Sequence, residues 1–207
     1  MRLFVAISLP SGIRRQLGGL TEQSQGLRRV PQEQMHLTLK FIGDPGIDAL
    51  EEPGSDALEE LINSLAAVYF DPFDLRLNQP GAFPDEVQPR VIWMGVDHSP
   101  ALLALQHKVE QAVSLALNPG KLEAGVRDPG VRDPGVRNED HEEYHPHITL
   151  ARSGRSTVDR AQEFLSSIRE RPVTLEDTWR VDSFALYESR RERTGAIYRI
   201  IQVFPAI

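Results

Sequence analysis

The sequence predicts an α+β fold with largely antiparallel sheets. Strand-like and helix-like segments alternate irregularly along the 207 residues, in the order strand, helix, strand, helix, strands, helix, strand, helix, strands. A regular βαβ rhythm would predict a parallel sheet instead. The chain also closes on a long β-branched and aromatic run, Ala196 to Phe204, which suits a pleated strand. Finally, one short polar pattern occurs twice, each time inside a strand.

Each element follows from its own residues. Residues 2–9 are rich in Leu, Phe, Val and Ile and form a first strand; the apolar run is too short for a signal peptide. Ser11 is placed to cap a helix carrying Ile13, Leu17 and Leu20 at helical spacing, and Pro31 breaks the segment. Residues 35–42 form a second strand, stopped by Gly43-Asp44-Pro45. A helix follows at roughly 55–68, with Leu58, Leu61, Ile62 and Leu65 on one stripe. Strands are expected at 73–78 and 90–96. Pro100 opens a helix to about Leu117 that turns Leu102, Leu105, Val109 and Val113 inward. After residue 143 come a strand from Tyr144 to Arg152, a helix from Val158 to Ile168, and one or two strands within 173–187.

The stretch 121–143 breaks this pattern. Gly125 to Pro129 reads Gly-Val-Arg-Asp-Pro, Gly130 to Pro134 repeats it, and a third copy starts at Gly135. Proline and glycine at that interval continue neither a helix nor a central strand, so the segment is read as a flexible surface insertion. The 207 residues suffice for one domain with a large core or for two small lobes sharing one, spanning 1–207 with that insertion at about 121–143.

Composition narrows the function. The chain is 40% hydrophobic and 26% charged, ordinary for a globular protein, and has no apolar run long enough to cross a membrane. It has no cysteine, which excludes disulfides, thiolate metal sites and cysteine nucleophiles and fits a cytoplasmic location. The net charge of −7 does not suggest a protein that wraps long nucleic acid. Of 23 basic residues only Lys40, Lys108 and Lys121 are lysine; the rest are arginine, whose fork suits phosphate.

The repeated pattern is His36-Leu37-Thr38-Leu39 and His147-Ile148-Thr149-Leu150. In a strand, residues i and i+2 share a face, so each His stands beside its Thr while the apolar pair enters a core. The polar face must then meet water or a ligand. Phosphodiester cleavage needs a base to activate the nucleophile and an acid to protonate the leaving oxygen, and histidine can do either near neutrality. Threonine hydroxyls can donate to the phosphate oxygens where charge builds. Lys40 shares parity with His36 and is a candidate substrate contact or a snorkelling surface lysine. Arg152 has the opposite parity to His147, so it reaches the site only where the strand ends or twists. His145 and His147 could together bind a metal, but no third ligand is evident beside them. Trp93 and Trp179 are assigned to core packing in preference to base stacking. Arg190, Arg191 and Arg193 are read as an exposed hairpin or loop, a solvated turn in preference to a phosphate contact.

Five stretches carry a family resemblance: MRLFVAISLP, HLTLKFIGD, GAFPDEVQPRVIWMGV, HPHITLAR and SFALYESRRERTGAIYRI. They resemble the 2H phosphoesterase superfamily, in particular its RNA 2′,3′-cyclic phosphodiesterase branch, historically called 2′-5′ RNA ligase. Tyr144 departs from the pattern, standing where Phe is expected. The resemblance implies two similar lobes around a cleft, a pseudo-twofold, and one His-x-Thr pair from each. It implies hydrolysis of RNA 2′,3′-cyclic phosphate ends, or small cyclic nucleotides, to 2′-phosphomonoesters. His36 would then be the proton donor to O3′ and His147 the proton acceptor from water, although near-symmetry leaves the two roles exchangeable on sequence alone. Thr38 and Thr149 would hold phosphate oxygens, with Arg152 adding charge. No cofactor, no metal, no membrane and a monomer are implied. Ligation of a cyclic phosphate to a 5′-hydroxyl, and a non-catalytic RNA-end binding module, are the alternatives.

Overall fold

The computed structural model describes residues 2–22, 24–43, 56–117, 144–170, 177–192 and 195–207. The repeats at 121–143 lie outside the described residues. The described elements are β1 (Arg2–Ser8), α1 (Ser11–Thr21), β2 (Arg28–Arg29), β3 (His36–Gly43), α2 (Asp56–Ala66), β4 (Phe73–Phe83), β5 (Val91–Val96), α3 (Pro100–Leu117), β6 (His147–Arg152), α4 (Val158–Arg169), β7 (Thr178–Val181), β8 (Ser183–Glu192) and β9 (Gly195–Pro205). They build two antiparallel sheets, ordered β3-β1-β8-β9 and β2-β6-β5-β4-β7.

The two His-x-Thr strands occupy similar places, β3 at the edge of its sheet and β6 covered only by the two-residue β2. β3 pairs with β1 and β6 pairs with β5, so each motif strand lies beside an interior strand of its own sheet. β1 is buried from Leu3 to Ile7, which explains its continuous apolar run. The helices cross between sheets: α1 follows β1 yet packs toward β6, and α3 follows β5 yet packs on β3. This exchange knits the halves around one core, in which Leu37, Ile92, Ile148 and Leu150 are fully buried.

Some expected details change. Ser11 is the first helical residue of α1 and not its cap; the capping position is Pro10, and no side chain caps it. At α3 a cap does exist, where Ser99 Oγ accepts the Leu102 N–H at 3.3 Å. β4 runs to Phe83, past Pro80. The register slips between Leu77 and Pro80, and that irregularity accommodates a residue with no N–H to donate. The region expected to hold one or two strands holds β7 and the start of β8, and β2 is too short and too charged to carry a strand signature.

The apolar positions of the two motifs hold up the sheets from beneath. Leu37→Ala or Ile148→Ala should each cost about 2–5 kcal/mol, because each removes a fully buried branched side chain from a shared core. Urea unfolding of the full chain measures this; a loss under about 1 kcal/mol would contradict the placement.

Candidate active site

The pleat sorts the motif residues as alternation demands. Leu37 and Ile148 point into the core, while His36, Thr38, His147 and Thr149 are half-buried on the other face. Both strands then do the same further thing. Opposite β1, Thr38 pairs with Ala6 but Lys40 pairs with Val5, so Leu39 is an extra residue. Opposite β5, Thr149 pairs with Trp93 but Ala151 pairs with Ile92, so Leu150 is an extra residue. Each is a β-bulge, and a bulge inverts the parity of the residues beyond it.

The inversion decides the fate of the two basic candidates. Arg152, of opposite parity to His147 in a straight strand, is returned to the face of His147 and Thr149. Lys40 is carried off the face of His36, so its expected parity is corrected. Its Nζ instead lies 2.6 Å from Glu110 Oε1 on α3, and the lysine's hydrogen bond holds that carboxyl below the usual carboxylate range. The position that matches Arg152 in the first half is Phe41, which is 67% exposed.

The two histidines are anchored in the same way. His36 Nδ1 lies 2.7 Å from the carbonyl of Gln34, and His147 Nδ1 lies 2.7 Å from the carbonyl of His145. A carbonyl only accepts, so each Nδ1 carries the proton and each Nε2 is left for chemistry. Burial holds both imidazoles below the ordinary value of 6.5, against the raising effect of those two hydrogen bonds. The positive forms of neighbours add to the lowering: His147 and Arg152 act on His36, and His145 and Arg152 act on His147. Arg152 thus bears on both histidines, and His36 feels His147 across the cleft.

Aromatic rings floor each half. Phe4 lies 4.8 Å from His36, and Tyr198 meets it edge-on at 5.3 Å. Tyr187 stacks on Phe4 at 5.0 Å and holds Ser8 Oγ at 2.6 Å. On the other side Phe83 stands edge-on to His147 at 5.0 Å, and Trp93 to His145 at 4.7 Å. Trp93 is half-buried on the cleft face and not within the core, whereas Trp179 is a core residue. Gly81 lies directly beneath the Trp93 ring, where any side chain would occupy the ring's place. Among the described residues no third carboxylate or histidine joins His145 and His147 in a metal-like cluster. Arg190 pairs with the buried Glu188 at 2.7 Å.

One hydrogen bond ties the halves together. Tyr144, just ahead of the second motif, donates its hydroxyl to the Thr38 carbonyl at 2.9 Å, beside the first bulge. Burial pushes the Tyr144 phenol well above its ordinary range, so it stays a donor. The departure from Phe noted in the sequence therefore has a partner.

Two sheets that each present a bulged His-x-Thr strand to a common cleft define a two-histidine phosphoesterase. The chain belongs to the 2′-5′ RNA ligase superfamily, whose family model matches residues 9–193. The RNA 2′,3′-cyclic phosphodiesterase of Thermus thermophilus is 32% identical over 207 residues, covering 99% of this chain and 89% of its own. The protein of that name from Archaeoglobus fulgidus is 27% identical over 208 residues, covering 99% of both. In crystal structures, TT0787 of Thermus thermophilus superposes with a TM-score of 0.66 at 29% identity, covering 99% of this chain and 97% of its own. Escherichia coli LigT shares the fold, with a TM-score of 0.67 at 23% identity over 99% of this chain and 96% of its own. Among the described residues no helix is long and apolar enough to cross a membrane.

The electrostatics give a signed prediction. If one histidine must be protonated and the other not, kcat/KM is bell-shaped in pH, with both limbs below the ordinary value of 6.5. Removing the cation makes imidazole protonation easier, so Arg152→Ala should move both limbs to higher pH. A pH profile of the variant with its limbs unmoved would contradict the coupling.

Proposed function

We propose that this protein hydrolyses the 2′,3′-cyclic phosphate at the end of an RNA to a 2′-phosphomonoester. The observation that carries the reading is the matched anchoring of the two histidines, which leaves both Nε2 atoms for proton transfer. The names borne by the relatives support the same substrate class.

In this mechanism His147 Nε2 takes a proton from water as the water oxygen bonds to phosphorus. The P–O3′ bond breaks on the far side, and His36 Nε2 gives its proton to O3′. The product keeps its phosphate on O2′. Turnover leaves His147 protonated and His36 neutral, and exchange with solvent restores the starting pair. Thr38 and Thr149 donate to the equatorial oxygens, and Arg152 offsets the added negative charge. The anionic substrate favours the protonated acid, which opposes the lowering that burial imposes on the empty site.

The test is turnover of a short RNA ending in a 2′,3′-cyclic phosphate, with EDTA present. His36→Ala and His147→Ala should each lose about 10²–10⁴-fold in rate, and phosphorus NMR should show a 2′-phosphate. A 3′-phosphate product would reverse the leaving-group assignment. Loss of wild-type activity in EDTA, or unimpaired histidine variants, would overturn the mechanism. A 2′-5′ junction formed when a 5′-hydroxyl RNA is added would show that the same groups also run toward ligation.

A further inference from the structure

β2 consists only of Arg28 and Arg29, and its register with β6 is specific: Arg28 faces Arg152 and Arg29 faces Ala151. Residues directly opposite on antiparallel strands share a face, with Cβ atoms about 4.5–5.5 Å apart. The pairings of β4, β5, β6 and β2 therefore set Phe83, Val91, Arg152 and Arg28 in one row across the sheet. The row begins at the ring against His147 and ends at Arg28, so Arg28 stands on the cleft face, one strand beyond Arg152. Both arginines are exposed.

Like charges directly opposed across two strands destabilise the pairing unless an anion lies between or beside them. Among the described residues neither guanidinium is paired with a carboxylate, in a chain of net charge −7. The two arginines also differ in reach. Arg152 bears on both histidines, and Arg28 on neither. Arg28 thus stands one strand beyond the cation that acts on both histidines. Neighbouring strands are about 4.8 Å apart. Successive phosphates of one nucleic-acid strand advance about 3.4 Å along a duplex axis, and further when the strand is extended. Adjacent arginines on this sheet can therefore hold adjacent phosphates, each through a two-pronged contact.

We propose that Arg28 binds the phosphodiester immediately upstream of the terminal cyclic phosphate, so that the site favours RNA ends over free nucleoside cyclic phosphates. The inference rests on the hydrolytic reading above and specifies which form of that substrate is preferred.

Three probes separate the possibilities: adenosine 2′,3′-cyclic phosphate, the same compound bearing a 5′-phosphate, and the dinucleotide ApA ending in a 2′,3′-cyclic phosphate. Arg28→Ala should leave kcat/KM on the first within about twofold and lower it on the other two about tenfold, mainly through KM. Arg28→Lys should recover part of the loss, and Arg29→Ala should change none of the three. On the dinucleotide, the slope of log kcat/KM against log salt should become shallower by about one in Arg28→Ala. An equal loss on all three probes would overturn the proposal, since Arg28 would then serve the reacting phosphate or merely build the edge strand. No loss on any would overturn it too. A wild type inert toward all three would instead bring down the hydrolytic reading itself.

Discussion

A carbonyl oxygen has no proton to give. When Gln34 and His145 each set theirs against the Nδ1 of the histidine two residues on, they decide which nitrogen of that ring can react. Both rings are held in one tautomer and one orientation, with Nε2 turned away from the anchor. A rotating or tautomerising imidazole would serve poorly in a reaction that needs a base on one side of phosphorus and an acid on the other. The sheets, the bulges and the aromatic floor all support this pair of anchored rings.

The bulges matter next. Each motif strand uses alternation to put His and Thr on one face, then breaks it immediately after Thr with a buried leucine, Leu39 or Leu150. In the second half the inversion delivers a guanidinium to the cleft. In the first it removes a lysine to the far side and delivers an exposed phenyl ring. The halves are thus alike in backbone and unlike in charge: nearly symmetric geometry sets the two histidines, and Phe41 and Arg152 at the matching positions break that symmetry. Tyr144 then fixes the halves to each other, through the carbonyl of Thr38 next to the first bulge.

Much of this was readable from residue order. Period-two alternation placed His36, Thr38, His147 and Thr149 on polar faces, and the repetition of the pattern linked the two strands. The fold class followed from irregular alternation of elements, and family membership from five stretches spread over the chain. What could not be read is where the alternation fails. A leucine in a bulge is chemically the same as a leucine in a pleat, so strand parity pointed the wrong way for both basic residues, setting Lys40 on the face of His36 and Arg152 off the face of His147. The aromatic floor was hidden because Phe4, Tyr187 and Tyr198 meet only through the pairing of distant strands. β2 was hidden because two exposed arginines have no strand signature; its register with β6 is a tertiary fact.

The central claim is that the two histidines act on one phosphorus as a unit. Comparing His36→Ala, His147→Ala and the double variant on one cyclic-phosphate RNA tests it directly. If acid and base work in the same step, removing either already disables that step, and the double variant should be no slower than the slower single. Losses that multiply in the double variant would mean that the two groups act independently, and the concerted acid–base pair would be contradicted.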